Sequence, residues 1–123
     1  MTIPRVLLAD DHTLVLEGFR RIVEQRCEVV GAVEDGRALL EAATRLRPDL
    51  ILLDISMPLL NGIDAARRIR ALAGEARLTP IVGISGRGES GDEAAARDAG
   101  MNFYFVKPVS PRKLAQALAE CSY

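Results

Sequence analysis

Five side chains able to do chemistry come at the ends of short apolar runs. They are Asp10, Asp11, Asp54, Ser85 and Lys107. Three carboxylates brought close together ionise at low cost only if a cation joins them, and a set of oxygen ligands favours a hard ion such as Mg²⁺. A hydroxyl and an ammonium suit the oxygens of a phosphoryl group. The set predicts phosphoryl transfer to a carboxylate, and we expect Asp54 to be the nucleophile that becomes an aspartyl phosphate.

The apolar runs themselves predict the strands that position these side chains. Runs at residues 6–9, 29–33, 50–53, 81–84 and 103–106 are short and mostly unalternating, as in strands buried on both faces of a parallel sheet. Helical patterns lie between them, so the chain reads as βα repeated five times. This order predicts an α/β fold with a doubly wound, flavodoxin-like, five-stranded parallel sheet. Because ligands bind at the carboxyl ends of such strands, the five side chains should meet in one crevice.

Several residues predict where helices begin and end. Asn61 is a suitable N-cap for a third helix that carries Ala66, Ile69 and Leu72. Gly100 suits the position after the end of a fourth helix. Ser110 followed by Pro111 predicts the start of a fifth.

Length and charge limit the classes of protein. At 123 residues we expect one domain over 1–123, with no output module in this chain. With a net charge of −1, the chain lacks the excess positive charge that attracts a protein to nucleic acid or to an anionic membrane. The sequence shows neither a signal peptide nor an apolar run long enough to span a bilayer. Cys27 and Cys121 stand in no metal-binding or redox motif, so we expect thiols in a reducing, cytoplasmic compartment.

Taken together, the motifs resemble the receiver (CheY-like) domain of two-component response regulators over essentially the whole chain. The matching stretches are Leu8-Ala9-Asp10-Asp11-His12, residues 49–58 around Asp54, Asn61-Gly62, Ser85 and Lys107-Pro108. The resemblance implies that Asp54 is the phosphoacceptor. It implies Mg²⁺ bound by the side chains of Asp11 and Asp54, by Asp10 mainly through water, and by the backbone carbonyl of Ser56.

The resemblance also implies a conformational switch. Ser85 would move to the phosphoryl group, Lys107 would pair with that group, and Tyr104 would stand at an aromatic switch position. Strand alternation points Tyr104 opposite to Phe103 and Phe105, so one ring can face outward while two pack inward.

The implied function is a phosphorylation-dependent switch of a two-component phosphorelay, self-phosphorylating and autodephosphorylating rather than a turnover enzyme. The implied donor is a sensor histidine kinase or a phosphotransfer protein. An output domain or downstream protein would contact the face formed by the fourth helix, fifth strand and fifth helix. The resemblance is compatible with a homodimer as well as with a monomer. Two alternatives are an Asp-nucleophile phosphatase and a receiver-like interaction scaffold that takes no phosphate.

Two further motifs are set aside. Residues 86–91 spell G-x-G-x-x-G, but a dinucleotide site uses the first βα turn, which here holds Asp10-Asp11 and would repel a pyrophosphate. We therefore expect a loop beside Ser85 and no nucleotide cofactor. His12, the single histidine, is interpreted as a surface residue that opens a helix rather than a phosphotransfer histidine.

Overall fold

The computed structural model describes residues 3–55, 60–86, 92–106 and 110–121. Strands and helices alternate along the described chain as the sequence predicts. The elements are β1 (Arg5–Ala9), α1 (Thr13–Val23), β2 (Glu28–Val33), α2 (Gly36–Leu46), β3 (Leu50–Asp54), α3 (Gly62–Arg70), a 3-10 turn (Glu75–Leu78), β4 (Ile81–Ser85), α4 (Asp92–Asp98), β5 (Phe103–Val106) and α5 (Pro111–Cys121).

The five strands form one parallel sheet in the order β2-β1-β3-β4-β5. This confirms the predicted doubly wound, flavodoxin-like fold. The chain runs outward from β1 to β2 and then returns to the other side of β1 for β3. The topological switch point therefore lies between β1 and β3, where an open α/β sheet binds its ligands.

Each face of the sheet is covered by its own apolar layer. On one face, Leu39 of α2, Ile69 of α3 and Ala96 of α4 pack against Leu7 and Ile51. On the other face, Val23 of α1 and Leu114 of α5 pack against Leu8, Leu52 and Ile84. All of these side chains are almost completely shielded from solvent. Burial on both sides explains why the strands read as continuous apolar runs.

The helix ends follow the predicted capping chemistry. The Asn61 side chain accepts a hydrogen bond from the Asp64 amide at 2.9 Å, and the Ser110 hydroxyl accepts one from the Lys113 amide at 3.1 Å. Gly100 follows α4 with φ of 97°, in the left-handed region that favours glycine.

One helix is shorter than predicted. α3 ends at Arg70, so Leu72 lies in the turn beyond it rather than on the helix. The Leu72 amide donates to the Ile69 carbonyl at 3.1 Å, which is a tighter i→i−3 turn. The 3-10 turn that follows was not anticipated from the sequence.

The described helices have at most 11 residues. None of them has the length and apolar character that a membrane crossing requires.

Candidate functional site

An acidic cluster lies at the switch point between β1 and β3. The parallel register pairs Ala9 with Leu53, so the next residues, Asp10 and Asp54, stand side by side. Both carboxylates are buried, with 1% and 3% of the residue exposed. Ligand atoms of Asp10, Asp11, Asp54 and His12 all lie within 4.8 Å of one another. The three carboxylates that the sequence assigns to one crevice therefore do meet.

The turn after β1 is fixed by two hydrogen bonds that its backbone amides donate. The Asp10 amide donates to the Val33 carbonyl of β2 at 3.0 Å, and the His12 amide donates to Asp10 Oδ1 at 2.8 Å. The second bond folds the chain back over the Asp10 carboxylate. Asp11 is thereby held beside the cluster while it remains open to solvent.

The chain after Asp54 is held equally closely. The Ile55 amide donates to the Ile84 carbonyl at 2.9 Å, and the Gly62 amide donates to the Ile55 carbonyl at 2.7 Å. A Cβ at Gly62 would lie 2.7 Å from both the Asp54 carbonyl oxygen and the Ile55 Cα. Because these neighbours are backbone, only glycine lets α3 begin this close to the end of β3.

Ser85 is the last residue of β4 and is buried, at 2% exposure. Asp54 pairs with Ile84, so Ser85 lies one step further along the same edge on the neighbouring strand. This is where the sequence places the switch hydroxyl. Its role in signalling stays a prediction.

Tyr104 packs on the face of the sheet opposite to its aromatic neighbours. It contacts the layer formed by α2, α3 and α4, whereas Phe103 and Phe105 contact the layer formed by α1 and α5. The predicted alternation is therefore confirmed. In this conformation the Tyr104 ring is turned into its layer, because its hydroxyl is buried and has no hydrogen-bond partner among the described residues. Tyr104 pairs with Gly83, which places it on the same face as Ser85, two positions along β4.

Several predicted features lie outside the described residues. They are the Lys107 ammonium, the Ser56 carbonyl and residues 87–91 of the glycine-containing loop. The assignments to Lys107 and Ser56 stay predictions.

The sequence interpretation of His12 was incomplete. The residue does precede the first turn of α1 as predicted, and its side chain is 64% exposed. Its ring, however, turns onto the acidic pair, with Nδ1 at 3.0 Å from Asp11 Oδ1 and 3.4 Å from Asp10 Oδ1. Adjacency to Asp10-Asp11 was the available signal, but the ring direction depends on how the turn folds.

The donor chemistry of the cluster fits a hard divalent cation. Three carboxylates, two of them buried, present oxygen atoms within a span of 4.8 Å. Carboxylate oxygens with water completing the shell are what Mg²⁺ prefers. A divalent charge would also offset the repulsion between neighbouring carboxylates.

Comparison with known proteins points to one family. Residues 6–119 match the family model described as the response regulator receiver domain. Curated relatives include the transcriptional regulatory proteins PrrA and PdtaR of Mycobacterium tuberculosis. PrrA is 37% identical over 88% of this chain and 45% of its own length, and PdtaR is 36% identical over 93% and 54%. The chain thus spans about half the length of these relatives.

Solved structures give the same result. The signal receiver domain of the response regulator NarL from Mycobacterium tuberculosis aligns with a TM-score of 0.91 at 29% identity, over 98% of this chain and 97% of that one. The receiver domain of the sensor histidine kinase PA1611 from Pseudomonas aeruginosa aligns with a TM-score of 0.84 at 30% identity, over 97% of both chains. That second structure has a magnesium ion coordinated in its active-site cleft.

Proposed function

Because this chain belongs to the response regulator receiver domain family, we propose that it accepts a phosphoryl group on Asp54 and changes conformation in response. Receiver domains of this family act in phosphorylation-dependent two-component signalling. The assignment of the step to Asp54 is the specific proposal.

The observation that carries the proposal is the position of Asp54. It ends the central strand β3, is 3% exposed, and adjoins Asp10 and Asp11 on one side and Ser85 on the other. Asp11 lies at the solvent-exposed margin, whereas Asp54 is buried at the centre of the site, on the strand between β1 and β4. Asp54 is therefore the carboxylate best placed to attack a phosphorus atom from inside the crevice.

Asp10, Asp11 and Asp54 would hold Mg²⁺, together with the Ser56 carbonyl that the family resemblance assigns. The ion would neutralise charge on the carboxylates and on the incoming phosphoryl oxygens.

In the transfer, a carboxylate oxygen of Asp54 forms a bond to phosphorus while the donor's leaving group departs with the electron pair of the broken bond. The Ser85 hydroxyl and the Lys107 ammonium then donate hydrogen bonds to the phosphoryl oxygens, which carry about −2 charge. Movement of Ser85 frees space on the face that it shares with Tyr104, and the Tyr104 ring changes position.

The proposed signalling surface combines α4, β5 and α5. Val106 at the end of β5 is 44% exposed, which gives this face an apolar contact point. We propose that a sensor histidine kinase or phosphotransfer protein supplies the phosphoryl group, in the cytoplasm, and that an output domain or downstream protein contacts this surface. A homodimer that forms through α4 would use the same face. The net charge of −1 argues against nucleic-acid binding by this chain itself.

The test is intact-mass spectrometry after incubation with acetyl phosphate and Mg²⁺. We expect one phosphate-sized gain that requires Mg²⁺, disappears in Asp54→Asn and persists in the control Asp98→Asn, which alters an exposed aspartate of α4. A gain that persists in Asp54→Asn would refute the assignment.

Two readouts separate the alternative functions. A receiver phosphorylates itself once for each donor molecule consumed and is not a turnover enzyme. Sustained hydrolysis of an external phosphate ester would instead indicate a phosphatase, and no Mg²⁺-dependent gain at all would indicate an interaction scaffold.

A further inference from the structure

His12 stands at the N-cap position immediately before α1 but does not use its side chain to cap that helix. Its backbone is extended, with φ of −101° and ψ of 108°, and its ring makes no cap hydrogen bond. The Nδ1 atom instead lies 3.0 Å from Asp11 Oδ1 and 3.4 Å from Asp10 Oδ1. The imidazole is thus held over the carboxylates by the same turn that brings the His12 amide to Asp10.

The spacing suits ligands of a single ion. For a divalent ion with bonds of about 2.1 Å, neighbouring octahedral ligands are about 3.0 Å apart and opposite ones about 4.2 Å. The separation of 3.0 Å between His12 Nδ1 and Asp11 Oδ1 is that of two neighbouring ligands. The full span of 4.8 Å, which includes Asp54, requires only a small contraction around an ion.

We propose that His12 is a metal-specificity residue, which makes the pocket a mixed nitrogen and oxygen site. This inference rests on the proposed divalent-cation site formed by Asp10, Asp11 and Asp54. Neutral imidazole with its hydrogen on Nε2 presents a lone pair on Nδ1. Imidazole suits late first-row ions such as Ni²⁺ and Zn²⁺, whereas Mg²⁺ prefers oxygen. Late first-row ions therefore compete with Mg²⁺ for this pocket through a contact that Mg²⁺ does not use.

Calorimetric titration of the tag-free chain with Ni²⁺ and with Mg²⁺ tests the proposal. His12→Asn removes the imidazole and retains a side chain suited to the start of a helix. We expect its dissociation constant for Ni²⁺ to rise at least about tenfold, while that for Mg²⁺ changes less than about twofold. Asp11→Asn is the matched comparison and should weaken both ions. All chains in this experiment, including the reference chain called unsubstituted below, carry Cys121→Ser, so that this thiol does not bind Ni²⁺.

A nuclear magnetic resonance measurement gives a second readout. The chain contains one histidine, so its imidazole nitrogen signals belong to His12 alone. We expect Zn²⁺ to shift the Nδ1 signal strongly and Mg²⁺ to leave it nearly unchanged.

The outcomes separate the two proposals. If His12→Asn binds Mg²⁺ normally and Ni²⁺ as tightly as the unsubstituted chain does, His12 merely hydrogen-bonds to Asp11 and the inference is overturned. If the unsubstituted chain binds neither ion, the cation site itself is absent and the proposed function fails with it. Retained Mg²⁺ binding in His12→Asn also shows that the variant is folded.

Discussion

The Tyr104 hydroxyl shows how a single atom can bias a conformation. It is buried and has no hydrogen-bond partner among the described residues. An unsatisfied buried hydroxyl costs about 1–3 kcal/mol relative to one in water. The buried hydroxyl therefore raises the free energy of the observed ring position. A ring position that exposes the hydroxyl to water would remove this cost.

We predict that Tyr104→Phe stabilises the protein by about 1 kcal/mol. The ring and its packing against the α2, α3 and α4 layer remain, and only the unsatisfied hydroxyl is removed. Urea unfolding measures the change. A loss of stability would show that the hydroxyl has a partner and that its burial carries no cost.

For single residues, the sequence predicted the position of the carboxylates better than the orientation of the His12 and Tyr104 rings. Asp10 and Asp54 could be placed together because parallel strands end at one edge, whatever their side chains do. The direction of the His12 ring and the burial of the Tyr104 hydroxyl depend on a turn and on packing between distant elements. Neither is encoded in a short motif.

Among the elements, Arg70 at the end of α3 joins three segments. Its Nη1 donates to the carbonyls of Arg77 at 2.9 Å and Thr79 at 2.7 Å. Its Nε and Nη2 donate to the Gly100 carbonyl at 3.1 and 2.7 Å, and Nη2 also reaches Asn102 Oδ1 at 3.1 Å. All five N–H groups of the guanidinium are thereby used. Burial lowers the pKa of Arg70.

We predict that Arg70→Met lowers the free energy of unfolding by roughly 2–4 kcal/mol, because it leaves part-buried carbonyls without their charged donor. The control is Arg68→Met on the same helix, where the side chain is exposed and the expected change is within about 0.5 kcal/mol. Equal effects of the two substitutions in chemical denaturation would contradict this account.

The Arg70 contacts also explain why the region after α3 was the least predictable from sequence. Capping residues mark helix starts, as at Asn61, but the Arg70 contacts at the end of α3 reach Arg77, 7 residues further on, and Gly100, 30 residues further on. The 3-10 turn at Glu75–Leu78 lies between these contacts and has no strong pattern of its own.

For the molecule as a whole, Cys27 links stability to pH. It is 7% exposed within the layer covered by α1 and α5. Burial raises the pKa of its thiol above the ordinary value of 9.0, and the positive charge of Arg26 partly opposes the shift. Since the folded state disfavours the thiolate, the unfolded chain loses its proton first as pH rises. The thiol's contribution is complete below the unfolded pKa and is lost as pH rises through the folded pKa.

We predict that the stability of the unsubstituted chain falls more steeply between about pH 8 and pH 10 than that of Cys27→Ala. Each protein is compared with itself at the two pH values, so the cavity left by the substitution cancels. Urea unfolding at both pH values is the measurement. Parallel declines would show that the Cys27 thiol does not titrate differently in the folded state.

Strand number, parallel direction and the shared edge were predictable because they follow from buried runs and connection rules. The chain covers about half of the length of each of the relatives PrrA and PdtaR.

The central claim is that Asp54, rather than either neighbouring aspartate, forms the acyl phosphate. The most direct measurement treats the chain with acetyl phosphate and Mg²⁺, reduces it with borohydride, and locates the product by tandem mass spectrometry. Borohydride converts an aspartyl phosphate to homoserine, so the phosphorylated position is recorded permanently. We predict homoserine at position 54 alone. Homoserine at position 10 or 11, or at none of the three in a sample that gained phosphate, would contradict the account.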